Sequence, residues 1–125
     1  MRKSAKFLII SAGATTFLLS AFAFVPIKNA QAADAKAIEE GKEISFHRQK
    51  GNCLACHKIE GGDLPGNIGP ELVNMKARYP DKAKLRAQIW DATVTNPNTI
   101  MPPFGKHKML TEKEIDLVTE YIYSL

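Results

Sequence analysis

Cys53 and Cys56 are the only cysteines of this 125-residue chain; they lie three positions apart, and His57 follows directly. In Cys-Leu-Ala-Cys-His the two thiols can share one face of a helical turn. Two sulfurs on one face can reach the two vinyl groups along one porphyrin edge. The next residue then puts an imidazole under the iron as proximal axial ligand. This is the attachment pattern of a c-type haem, with thioethers from Cys53 and Cys56 and iron ligation by His57. The rest of the chain supports other chemistry poorly. A thioredoxin-like redox pair belongs in a βαβ context, and no strand-like run precedes Gly51. A zinc site needs four ligands, and only His47 and His107 remain, at unsuitable spacing and without a second cysteine pair. A structural disulfide has no use for His57.

A haem iron has a second axial position. The stretch Asn96 to Gly105 is a loop in which Pro102 pushes Met101 into an extended conformation, and Pro102-Pro103 stiffens it. A stiff loop presenting a thioether suits a distal ligand. Met75 and Met109 fall in or beside helical segments and are more cheaply explained as packing. His47 is too near the haem-binding turn to reach the other face; His107 stays open as the alternative. A ligating histidine donates its other N–H to an acceptor. The carbonyl of Pro70 is a candidate for that role, with simple stiffening of the loop as the competing reading. Asp and Glu are scattered, so no catalytic constellation is expected.

Helices must position these residues. Asp34 reads as an N-cap, with Ala37, Gly41 and Ile44 on one face of a first helix ending between His47 and Gly51. Gly61 to Pro70 is too rich in Gly and Pro for a regular element and is expected to wrap the haem edge as a loop. A short helix is expected over Leu72 to Tyr79. Another opens at Pro80 or Asp81, with Leu85, Ile89 and Ala92 in one stripe. Trp90 is expected to pack against the haem. Lys76, Arg78, Lys82, Lys84 and Arg86 form a basic cluster, either a solvated face or a feature that steers an acidic partner or neutralises haem propionates. The last helix has the strongest signals. Thr111 and Glu114 form a capping box, Leu110 and Ile115 a hydrophobic staple, and Ile115, Val118, Ile122 and Leu125 repeat at helical spacing. That stripe should cross the first helix at Gly41.

Residues 1–32 read as a signal peptide: a basic start at Arg2, Lys3 and Lys6, an apolar run from Phe7 to Val25, and small residues Ala30-Gln31-Ala32 before Ala33. An uncleaved anchor is the alternative. Residues 33–125 then form one domain in an exported, periplasmic setting. Four of the 17 basic residues (Arg2, Lys3, Lys6, Lys28) lie in the leader, leaving 13 basic against 13 acidic. Neutrality gives no reason to expect nucleic-acid binding. About 93 residues is small for a self-sufficient core, and a buried haem would supply part of it.

The order of helix, Cys-x-x-Cys-His, Gly-Pro loop, helices, Met loop and terminal helix resembles the class I cytochrome c fold across 33–125. That resemblance implies a small all-α domain wrapped around one covalent haem c, with Met101 as distal ligand and the Pro70 carbonyl on His57. A closer resemblance covers Gly51 to Gly105. Gly51 to His57, Leu64 to Pro70, Met75 to Pro80, Leu85 to Asp91 and Met101 to Gly105 are similar to the SoxX family, the monohaem subunits of periplasmic SoxAX. The resemblance implies a SoxA-like cytochrome partner, a SoxYZ carrier and a small soluble electron acceptor such as another cytochrome c. SoxAX couples thiosulfate oxidatively to a carrier cysteine as an L-cysteine S-thiosulfotransferase. Its bond-forming site belongs to SoxA, so this chain would only take up electrons. A free cytochrome c shuttle is the alternative, and a sensor with an open sixth site a weaker one.

Overall fold

The computed structural model describes residues 28–125, with side chains from residue 34 onward. The elements are α1 (Lys28–Phe46), a 3-10 turn (Cys53–Ala55), α2 (Met75–Arg78), α3 (Lys82–Trp90), a second 3-10 turn (Ala92–Val94) and α4 (Glu112–Ser124). There is no strand among the described residues, so the all-α expectation holds. The expected signal peptide lies outside the described residues apart from 28–32.

The strongest local signals produce the central element. Thr111 caps α4: its hydroxyl accepts from the Glu114 N–H at 3.2 Å, and the Glu114 carboxylate accepts from the Thr111 N–H at 3.0 Å. Two of the helix's orphan donors are satisfied in this way. Leu110 and Ile115 are both buried, as a staple requires, and Val118, Tyr121 and Ile122 continue the buried stripe.

α1 lies across α4 at Gly41. A Cβ at that position would sit 2.0 Å from the Leu117 carbonyl oxygen and 2.9 Å from the Tyr121 Cβ. Only glycine lets the backbones meet this closely, which is the close approach its mid-helix placement suggested. One turn on, the Phe46 ring meets Tyr121 edge to face at 6.0 Å. The start of α1 differs from the expectation. The helix begins at Lys28, so Asp34 is exposed inside it and caps nothing. The segment Asn29-Ala30-Gln31-Ala32-Ala33 is rich in good helix formers, and their summed propensity overrides a lone cap signal.

Asp81 does cap α3, accepting from the Ala83 N–H at 2.9 Å. Leu85 and Ile89 turn into the core, while Lys82 and Arg86 pair with Glu120 (2.7 Å) and Asp116 (2.6 Å) of α4. Two of the five basic residues are therefore spent between two helices. Such exposed pairs contribute little stability, about 0–1 kcal/mol each; their effect is to fix α3 against α4.

Candidate functional site

The Cys-x-x-Cys-His stretch is one tight turn. The end of α1 leads into it: the His47 carbonyl accepts from the Lys50 and Asn52 N–H groups, and Gly51 N–H returns to Ile44 O at 3.1 Å. Asn52 is left-handed (φ 46°) and reverses the chain. The Cys53 carbonyl then accepts from Cys56 (3.2 Å) and His57 (2.9 Å). The turn is 3-10 in type, and three residues per turn bring i and i+3 over one another. That geometry carries both thiols to one side. Both are free, and both line the same cavity. Burial pushes the Cys53 thiol up to about 11, against a smaller opposing effect from the Ser45 hydroxyl beside it.

The Gly-Pro loop is stitched back onto this turn. Gly66 N–H donates to Leu54 O at 2.7 Å, Gly69 N–H to Cys56 O at 2.8 Å, and Leu72 N–H to Lys58 O at 2.9 Å. The imidazole of His57 lies against Gly69, where a Cβ would come within 2.4 Å of the ring. His57 Nδ1 is 2.7 Å from the Pro70 carbonyl. A carbonyl can only accept, so Nδ1 carries a hydrogen, and in the neutral ring the free lone pair is on Nε2. The ring is thus held in the tautomer that can ligate a metal through Nε2.

The cavity beyond this ring has a volume of about 530 Å³, within the roughly 300–1,000 Å³ typical of small-molecule sites. Its walls are mainly apolar: Leu85 and Ile89 from α3, Val118 and Ile122 from α4, Phe104 from the Met loop. Met101 lines it, and so do Met75 and Met109. Met75 is buried, and its sulfur lies 3.4 Å from the Arg78 guanidinium. Neither His47 nor His107 is part of the lining. No group of three or more His, Cys, Asp or Glu is gathered for a metal ion among the described residues.

Residues 36–122 match the family model described as cytochrome C oxidase, cbb3-type, subunit III. The chain belongs to this family of cytochrome c domains. It is an electron-transfer cytochrome of the c type, and its fold is the small helical class I cytochrome c-like domain expected from the sequence. Over 76 residues it is 33% identical to an uncharacterized lipoprotein of Aquifex aeolicus (strain VF5). That match covers 60% of this chain and 37% of the relative, so the chain spans little more than a third of that protein's length.

A cytochrome c domain implies haem c, and the residues present fit it. A cavity of cofactor size, two free thiols lining it and an imidazole whose Nδ1 is occupied by the Pro70 carbonyl form a suitable donor set. The haem supplies one-electron chemistry when bound. The protein's part is to hold His57 through the Pro70 carbonyl, back it with Gly69 and keep water out with α3 and α4.

Two features differ from the sequence reading. Trp90 is not in the cavity lining; its ring lies on Gly105, where a Cβ would be 2.1 Å away, with the Arg86 guanidinium 5.5 Å from the ring centre. The physical reason is the absence of a side chain at Gly105, which leaves a flat surface for the indole outside the cavity. Ser45, wholly buried beside Cys53, had escaped notice. Its signal was available: it stands four residues after Gly41, a second small residue on the same face.

Proposed function

We propose that the chain works as a SoxX-type subunit, taking electrons from a SoxA-like cytochrome while thiosulfate is coupled to a SoxYZ carrier cysteine. The coupling forms one sulfur–sulfur bond and releases the thiol proton and two electrons. This chain takes those electrons one at a time and passes them to a small soluble acceptor. In this reading one haem is attached through Cys53 and Cys56, with His57 and Met101 on the iron and the Pro70 carbonyl fixing His57. A thioether opposite imidazole raises the potential of a haem, which suits an acceptor. An iron with both axial positions filled leaves the bond chemistry to the partner.

The observation that carries the proposal is the rim of the cavity. Ile68 is 63% exposed, Ile100 70% and Met109 49%, and all three line the opening. Leu64, on the same loop as Ile68, is 94% exposed. Apolar residues gathered at a site mouth mark a contact that excludes water. Two of the cations in the lining have internal partners: Lys50 pairs with Glu114 at 2.6 Å, and Arg78 donates to the Glu71 carbonyl at 2.8 Å. A diffusing shuttle would instead favour a charged rim and salt-sensitive encounters. Export to the periplasm is part of the proposal. The lipoprotein description of the Aquifex relative supports an exported setting, and no helix among the described residues is long and apolar enough to cross a membrane.

The test mixes the haem-loaded chain with SoxA and follows size exclusion at moderate salt. A second arm adds SoxYZ and thiosulfate and records haem reduction. A stable complex with thiosulfate-dependent reduction is expected. A chain that stays monomeric, and whose haem stays oxidised in the full mixture, would rule out the subunit reading and favour the shuttle.

A further inference from the structure

Between the second 3-10 turn and α4 the chain runs through residues 95–111 without a regular element. A loop of that length is uncommon in a small domain unless it has a function, and it carries Met101. Its own bonds are local: Met101 N–H donates to Thr99 Oγ1 at 3.1 Å, and Thr99 N–H to Asn96 O at 3.0 Å. These bonds shape the loop but do not join its ends. The ends meet at Trp90-Asp91. The Trp90 carbonyl accepts from Gly105 (3.1 Å) and Lys106 (3.3 Å), and the indole lies on Gly105. The two oxygens of Asp91 are divided between entry and exit. Oδ1 accepts from the Thr93 N–H at 3.0 Å and from the Thr93 hydroxyl. Oδ2 pairs with Lys106 Nζ at 2.8 Å. The side chain of Asp91 is only 8% exposed, so its charge is sheltered where a paired carboxylate interacts most strongly. Lys106, then Thr93, hold its carboxyl below the usual carboxylate range.

The geometry points to Asp91 as a positioning residue that closes the Met101 loop by bridging its two ends, through Thr93 on one side and Lys106 on the other. It touches neither the cavity nor any candidate ligand. Its effect is to limit how far the thioether can swing from its place, and in this respect the inference rests on Met101 being the distal ligand. Asp91→Asn keeps an acceptor for Thr93 and removes the charged bridge to Lys106.

The test uses the haem-loaded chain. Amide hydrogen exchange in 99–104 should be at least about tenfold faster in Asp91→Asn, with α1 and α4 within about twofold of wild type. Imidazole should saturate the ferric haem at a roughly tenfold lower concentration. Lys106→Met, altering the exposed partner and sparing the cap, should reproduce both effects. Lys106→Arg should behave as wild type, and the double variant should be no worse than either single one. Unchanged loop exchange, exchange raised equally in α1 and α4, or unchanged imidazole affinity would overturn the proposal. A far-red sulfur-to-iron band that is missing from wild type, or that survives Met101→Ala, argues instead against the ligand assignment. In that event the exchange comparison still decides whether Asp91 holds the loop.

Discussion

At the scale of single residues, the site depends on contacts that tolerate no extra atom, and the proposed distal ligand is one of three thioethers. Met101, Met75 and Met109 all face the cavity, so substitution separates them. Met101→Ala should abolish the far-red band of the ferric protein, while Met109→Ala and Met75→Leu should leave it in place. Absorption spectra of the three variants check this. Gly69 offers a finer probe. A methyl there would press on the His57 ring, and forcing a side chain into a filled space costs about 1–3 kcal/mol. Gly69→Ala should lower the yield of haem-loaded protein and shift its reduction potential, measured by spectrophotometric titration. The Cys-x-x-Cys-His turn was legible because five adjacent residues carry it. The role of Gly69 was not, because nothing local says which ring will lie on a given glycine.

At the scale of elements, α4 was the most legible part, since a capping box and a hydrophobic stripe are both local features. The opening of α3 at Pro80 or Asp81 was legible for the same reason, and Asp81 is its cap. The start of α1 was not legible, because Asp34 has the residue type of a cap while the helix formers before it carry the helix through. The bridge from Asp91 to Lys106 was hidden, because its partners are ordinary charged residues brought together only when a long loop closes. The crossing at Gly41 sets two effects against each other. Alanine gains about 0.5–1 kcal/mol over glycine inside a helix. A methyl 2.0 Å from the Leu117 carbonyl must push backbone apart, and that effect wins. Gly41→Ala should destabilise the domain by roughly 2 kcal/mol or more, read from denaturant unfolding. At the cap of α4, Lys50 and then Thr111 draw Glu114 down from its ordinary 4.5 to about 2. A carboxyl lowered by folding contributes stability above its unfolded value and loses it as pH falls through the folded one. Thermal midpoints should therefore fall between about pH 4.5 and 2. Glu114→Gln, which can still form the capping box, should flatten that limb.

At the scale of the whole molecule, α2, α3, α4 and two loops all contribute side chains to the same cavity. A domain of this size has little reserve of buried apolar surface. Cys53→Ala/Cys56→Ala, produced without covalent haem, should lose near-ultraviolet circular dichroism and melt without a sharp transition, while keeping much of its far-ultraviolet helix signal. The wild-type chain, expressed with haem-attachment machinery, should stain for haem on a denaturing gel. A haem-free band would contradict covalent attachment. The contact between Gly41 and Leu117 has a further consequence, one of timing. The two residues are 76 positions apart in the chain, and α1 reaches its packing partner only once synthesis has passed α4. Leu117 follows Cys56 by 61 positions, so at roughly 5–20 residues per second about 3–12 s of synthesis separate the Cys-x-x-Cys-His turn from the helix that packs beside it. The fold thus keeps its Cys-x-x-Cys-His turn within reach of other molecules until α4 arrives.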